Sequence, residues 1–162
     1  MPAKRKTAKK SAAARTPDAL TLLRIDHAEV LAMFEKFDKM KSDGPQKKAL
    51  VDKICDELTV HTAIEEEILY PVTREAIKEP DLVDEADVEH AGAKDLIAQL
   101  RKASPGSDHY DAKVKVLGEY IKHHVKEEHS EMFPQIKASK LDTKALGEQM
   151  AARKKELKAA LA

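Results

Sequence analysis

Tryptophan is absent from this 162-residue chain, cysteine occurs once, and only three phenylalanines and three tyrosines are present. A core without indole rings has to be aliphatic. The abundance of Ala, Leu, Lys and Glu makes those aliphatics helical ones. The lone cysteine, Cys55, excludes an intrachain disulfide framework and suits a reducing cytoplasm. It follows Ile54 beside a core position, so a small buried filler is expected rather than a redox thiol. No apolar run approaches the ~20 residues of a membrane span. Residues 1–20 also lack the apolar core of a secretory leader.

The formal net charge is zero, but the charge is unevenly spread. Residues 1–16 carry Lys4, Arg5, Lys6, Lys9, Lys10 and Arg15 and no acid. That leaves 23 of the 29 basic residues against all 29 acids, a balance of minus six. A basic, Ala-rich arm without apolar periodicity predicts a solvated, disordered tail. Its alternative role is a weak, non-specific hold on nucleic-acid phosphates.

Breaks at Ser42-Asp43-Gly44-Pro45, Glu79-Pro80-Asp81 and Ser104-Pro105-Gly106-Ser107 separate four long amphipathic stretches. Thr16-Pro17-Asp18 supplies an N-cap signal, so helix 1 is expected from there to about Lys41. Its inner stripe is Leu20, Leu23, His27, Val30, Phe34 and Phe37. Helix 2 runs to about Lys78, with Pro71 expected to kink it or end its regular portion. Helix 3 covers about 82–103 and helix 4 about 109–138, with Pro134 inside. Leu146, Met150, Leu157 and Leu161 mark a fifth helix. Short loops imply antiparallel neighbours, hence an all-α, up-down four-helix bundle. The expected layout is a tail at 1–16, the bundle at 17–140 and a C-terminal helix at 141–162.

The stripe of helix 2 reads Ile54, Leu58, His61, Glu65, Ile68, Val72, with two polar residues at its centre. A buried, unpaired carboxylate is among the costliest of groups. The second half of the chain repeats this arrangement 63 residues later. His27 recurs as His90, His61 as His124, Glu65 as Glu128 and Pro71 as Pro134. The apolar stripe follows the same shift, and Tyr70 maps onto Phe133. Four histidines and two glutamates therefore converge at mid-bundle. Residues four apart share a helix face, so each His-x3-Glu pair reaches one place. Equivalent ligands from two halves suit two metals better than one. Imidazole with carboxylate suits iron, manganese or zinc.

His27 on helix 1, HTAIEEEILYP on helix 2, EHAG around His90 and HVKEEHSEMFP on helix 4 resemble the hemerythrin-like HHE cation-binding domain family. The resemblance covers about residues 18–138. It implies a non-heme di-iron centre with Glu65 and Glu128 as bridging carboxylates, and with His27, His61, His90 and His124 as terminal ligands. An oxo or hydroxo bridge would join the two irons. Ferritin-like bundles use Glu-x-x-His instead, and no histidine here has a glutamate three residues before it. Oxygen-carrying hemerythrins place a second histidine on helix 3, where this chain has Lys94, and Leu31 stands in the equivalent place of the first half. The implied centre keeps one open position on each iron, for O2, peroxide or nitric oxide, and simple reversible carriage is not expected.

The remaining polar residues predict little. His109 is expected exposed, and His123 and His129 fall one residue off the seam, about 100° round the helix, at rim or solvent positions. Glu66, Glu67 and Glu127 read as a solvated face, with contact to a ligand histidine as the alternative. Asp26 and Glu89 adjoin their histidines and read equally as surface acids or as orienters. Tyr120 is expected packed at the core edge. Two function classes result: a di-iron protein that reacts with or senses O2, peroxide, nitric oxide or iron, and a metal-stapled bundle acting through its basic tail on nucleic acid.

Overall fold

The computed structural model describes residues 15–162, so the tail expected at 1–16 lies almost wholly outside the described residues. Five helices account for the rest. α1 is Ala19–Asp38. α2 begins as Pro45–Ile64, passes through a π-helical turn at Glu65–Leu69 and continues as Tyr70–Ala76. α3 is Asp81–Lys102. α4 repeats the form of α2, with Tyr110–Glu127, a π turn at Glu128–Met132 and Phe133–Ala138. α5 is Thr143–Leu161. Each of α1 to α4 packs on its two neighbours in a ring, while α5 lies across α1 and α2. None of these helices is long and apolar enough to cross a membrane.

The expected stripe of α1 is buried throughout, as are Val83, Ala86, His90, Ala93, Ile97 and Leu100 on α3 and Val114, Leu117, Ile121, His124 and Glu128 on α4, because the apolar spacing matches the helical period. Two corrections concern detail. The cap of α1 is Asp18, whose Oδ1 accepts from the Thr21 N–H at 2.9 Å, and not Thr16. In α2 the expected inner residues Ile68 and Val72 are only half-buried, while Leu69 and Thr73 are fully buried. The π turn causes this shift. The Tyr70 N–H bonds the Glu65 carbonyl five residues back, and the Phe133 N–H does the same to Glu128. Pro71 and Pro134 lack an N–H and would strike the carbonyl four residues earlier in a regular helix. Widening the turn advances the inner face by one residue and accommodates the proline without ending the helix.

The core is split in two. One apolar cluster includes Phe34, Phe37, Ile54, Leu58, Leu117 and Ile121. The other includes Leu20, Leu23, Leu69, Tyr70, Phe133 and Met150. Between them lie the buried polar residues His27, His61, Glu65, His90, His124 and Glu128. Cys55 is buried in the first cluster, as expected, and burial pushes its thiol up to about 11.

Candidate metal centre

The structure brings all six sequence-predicted residues into one buried cluster. His61 and Glu65 project from one turn of α2, with His61 Nε2 2.7 Å from Glu65 Oε1. His124 and Glu128 do the same on α4, at 2.6 Å. His27 Nε2 on α1 faces His61 Nε2 at 3.1 Å and Glu128 Oε1 at 3.5 Å. His90 Nε2 on α3 faces His124 Nε2 at 3.1 Å and Glu65 Oε2 at 3.0 Å. The donors form two overlapping groups, one from His27, His61, Glu65 and Glu128, the other from Glu65, His90 and His124.

The spacings between histidines of neighbouring helices, 3.1 Å in both halves, and from His90 to Glu65, 3.0 Å, fit a shared ion. Two donors each about 2.1 Å from one cation, at 90–110° to each other, stand about 3.0–3.4 Å apart. A second observation agrees. Glu65 Oε1 and Glu128 Oε1 are fully buried and make no hydrogen bond, although each has an imidazole nitrogen within 2.7 Å. Buried carboxylate oxygens without partners are costly, and a cation beside them removes that cost.

The outer nitrogens are also held. His61 Nδ1 lies 3.4 Å from Asp26 Oδ2, and His124 Nδ1 lies 3.2 Å from Glu89 Oε1. Asp26 and Glu89 are therefore orienters, the role that sequence alone left undecided. His90 Nδ1 meets Glu66 Oε2 at 3.3 Å, and Lys94, half-exposed, pairs with the same Glu66 carboxylate at 2.7 Å. An Nδ1 that donates to a carboxylate carries the ring proton, which leaves the Nε2 lone pair facing the centre. His27 differs. Its Nδ1 lies 2.7 Å from His129 Nε2, so His129 must accept if His27 is to present its own Nε2 inward. Burial and the neighbouring His27 and Arg24 hold His129 below the ordinary histidine range, which keeps it an acceptor.

Without a cation, these groups compete for protons. Burial opposes charge on His61, but Glu65 beside it and the bond to Asp26 win, raising the imidazole to about 10. His124 is raised well above its usual range against the same burial, by Glu128, Glu65 and Glu89. Glu65 is held well below the carboxylate range: burial resists its charge, and His61, His124 and His27 override that resistance. A cation would displace these protons.

Sequence reasoning missed Tyr70. Its hydroxyl sits 2.8 Å from Glu65 Oε2, 3.3 Å from both His90 Nε2 and His124 Nε2, and 3.4 Å from Glu128 Oε2. The equivalent Phe133 has no hydroxyl, and its ring stacks at 6.2 Å on His27. The signal was present: Tyr70 and Phe133 hold one place in the repeat, just before each proline, and differ by one oxygen. His129 takes the half-buried rim position expected of it, and there it packs against His27 and Phe133, a contact the sequence did not signal. Its repeat partner is Glu66, so both halves support the helix-1 or helix-3 histidine from the residue after the glutamate. Tyr120 is nearly half-exposed and lies against Gly92, not packed in the core edge, because the α3–α4 face has no cover there. His109 and His123 are exposed as expected.

Comparison with known proteins agrees with this arrangement. A family model described as Hemerythrin HHE cation binding domain matches residues 18–136. A protein named DNA nickase from Nostoc sp. strain PCC 7120 is 32% identical over 117 residues, covering 72% of this chain and 32% of that protein. The chain thus spans about a third of that relative's length. Among solved structures, a hemerythrin HHE cation binding domain-containing protein from Mycobacterium kansasii has a similar fold, with a TM-score of 0.77 at 23% identity over 89% of each chain.

Proposed function

The chain belongs to the hemerythrin HHE cation binding domain family, and on that premise we propose that its buried cluster holds two iron ions in a non-heme di-iron centre. His27 and His61 would hold one ion, His90 and His124 the other, with Glu65 and Glu128 as the carboxylates available to both. The Tyr70 hydroxyl lies 3.3 Å from both His90 Nε2 and His124 Nε2, the two histidines that would hold the second ion. Residues 17–140 form the metal-holding bundle, and residues 141–162 cover one side of it. Iron bound there would supply one-electron exchange toward a small ligand such as O2, peroxide or nitric oxide.

The observation that carries this reading is the pair of buried carboxylate oxygens, Glu65 Oε1 and Glu128 Oε1, without hydrogen bonds among four imidazole Nε2 atoms. The chain's own residues do the rest. Asp26, Glu66, Glu89 and His129 fix the ring orientations. Val30, Leu58, Ala86 and Ala93, all buried, limit water entry. Lys94 stands where a further histidine would add a ligand, and its ammonium is spent on Glu66 at the surface.

The test is the iron content and absorption spectrum of the purified protein. Two irons per chain with charge-transfer absorption are expected, and zinc or no metal would refute the reading. On mixing the anaerobically reduced protein with O2, fast and irreversible oxidation is expected. A spectrum that reverts under vacuum would instead identify a carrier.

A second reading rests on the basic arm at residues 1–16 and on the likeness to the Nostoc protein named DNA nickase. The arm would hold nucleic acid weakly through its six positive charges. Deleting it should abolish any salt-sensitive DNA binding and leave the metal content intact. Binding that survives the deletion would rule the arm out.

A further inference from the structure

Outside the buried centre, the α3–α4 face carries a second group of metal-type donors. Glu89 on α3 and His123 and Glu127 on α4 bring three donor atoms within 4.8 Å of one another. His123 and Glu127 are four apart and share a helix face. His123 Nε2 lies 3.0 Å from Glu127 Oε1 and 3.6 Å from Glu89 Oε2. These are again close to the roughly 3.0–3.4 Å expected of donors around one transition ion. The His123 side chain is 63% exposed, Glu127 32% and Glu89 21%, so the group opens to solvent. It lines a surface groove of about 440 Å³ together with Asp84, Glu85 and Val88. Among the described residues no lysine or arginine pairs with Glu89 or Glu127.

Behind the group lies a gap of about 10 Å³, room for about one water molecule or one bare ion. Glu89 and Glu127, which are partly exposed, line it together with the buried His124 and Glu128. Glu128 is 1% exposed, and its Oε1 belongs to the buried centre, 2.6 Å from His124 Nε2. Glu89 joins the two ends, with Oε1 on His124 Nδ1 and Oε2 toward His123. The other half of the molecule has nothing comparable. At the equivalent places stand Asp26, Val60 and Ile64, all buried, with Lys154 of α5 paired to Asp26. One half is sealed by aliphatics and an ion pair where the other presents two carboxylates and an imidazole.

We propose that Glu89, His123 and Glu127 form a surface capture site for a divalent first-row transition ion, from which the ion passes through the gap to the buried centre. Two carboxylates and one imidazole suit iron(II), manganese(II), cobalt(II) or zinc(II). Three protein donors leave further positions to water, so the ion is held weakly enough to move on. The destination rests on the di-iron reading above. The capture site does not, since its donors are complete without the buried ions.

Cobalt(II) added to the metal-free protein separates the two. Equilibrium dialysis counts the ions bound, and stopped-flow absorbance follows the filling of the buried centre. The wild-type chain should bind three cobalt ions, the third most weakly. Losing a supporting contact costs a metal site roughly tenfold in affinity, and losing a direct ligand costs at least as much. The double variant His123→Ala, Glu127→Gln should therefore lose the third ion from the titration. It should still fill the buried centre to the same final content, but several-fold more slowly. The single variant His123→Ala, at an exposed side chain, gives the same readout at smaller size should the double variant fold poorly. Glu65→Gln with Glu128→Gln should retain only the surface ion, and this holds even if the buried cluster binds no metal at all. A wild-type chain that binds no ion beyond the buried pair, or a double variant that binds and fills as wild type does, overturns the proposal.

Discussion

The α1–α2 half and the α3–α4 half are two copies of one plan, alike in their apolar stripes, prolines, π turns and six central residues, and different in what surrounds that centre. His27, His61 and Glu65 coincide with His90, His124 and Glu128 in kind, register and burial. Around them the copies part. The first half has α5 laid over it, with His129 behind His27 and Phe133 stacked beside it. The second half is uncovered, with Glu66 behind His90, the Tyr70 hydroxyl at its centre and the Glu89–His123–Glu127 group outside. Burial explains the contrast. A charged group in the core is tolerated only with its partners complete, so the central set cannot drift one residue at a time. Residues one layer out touch solvent or an added helix and are free to differ.

The sharpest test of the shared plan is to remove what both halves use. Glu65→Gln with Glu128→Gln should abolish loading of the buried centre. It should also remove the stabilisation that metal provides, about 4 kcal/mol at a free concentration a thousandfold above the dissociation constant. Thermal unfolding with and without iron checks this, and a variant that stays fully loaded would exclude these glutamates as shared ligands.

The halves should also agree in their response to pH when metal-free. His61 is raised from 6.5 to about 10, and His124 is raised too, so folding retains protons there. That stabilisation is complete below about pH 6.5 and is lost as pH rises toward 10, at about 1.4 kcal/mol for each pH interval over which one extra proton is held. Glu65, lowered from 4.5, adds stability above that value which is lost as pH falls through its folded pKa. Urea unfolding of metal-free protein should therefore peak in mildly acidic buffer. Metal affinity should move oppositely and rise with pH, because each ion must displace protons. A metal-free protein equally stable at pH 6 and pH 9 would refute the paired imidazolium assignment.

Two further substitutions probe the asymmetry. A Cβ added at Gly147 would lie 2.7 Å from the Ala19 nitrogen and would also strike the Pro17 carbonyl, so α5 meets the start of α1 backbone to backbone. Gly147→Ala should cost about 2 kcal/mol through overpacking and loosen the cover of the first half only, seen as faster amide exchange at Val60 and Ile64. The smallest stability effect is expected from Tyr70→Phe, which makes the second half resemble the first. Losing one buried hydroxyl contact should cost about 1 kcal/mol and lower the affinity of the second iron alone. Equal weakening of both irons would show that the hydroxyl serves the pair.

The six central residues were legible in the sequence because each breaks an apolar stripe, and each break recurs 63 residues on. The all-helical, antiparallel layout was legible for a related reason: the 3.6-residue period and the Pro–Gly breaks are local properties of the chain. The π turns were half visible. Pro71 and Pro134 signalled a disturbance, but whether a proline ends, kinks or widens a helix depends on what packs against the next turn.

What the tertiary structure alone decided is which side chains of different helices meet. His129 reaches across from α4 to His27 on α1, and Lys154 of α5 reaches Asp26. Tyr70 turns its hydroxyl into the second ligand group because the widened turn carries it round to the inner face. Periodicity fixes a residue's angle about its own helix axis, and that suffices to say which residues face inward. It carries no information on the height at which two helices cross or on which face a fifth helix will cover. Those depend on the packing of the whole core, and they make two similar halves into chemically different ones.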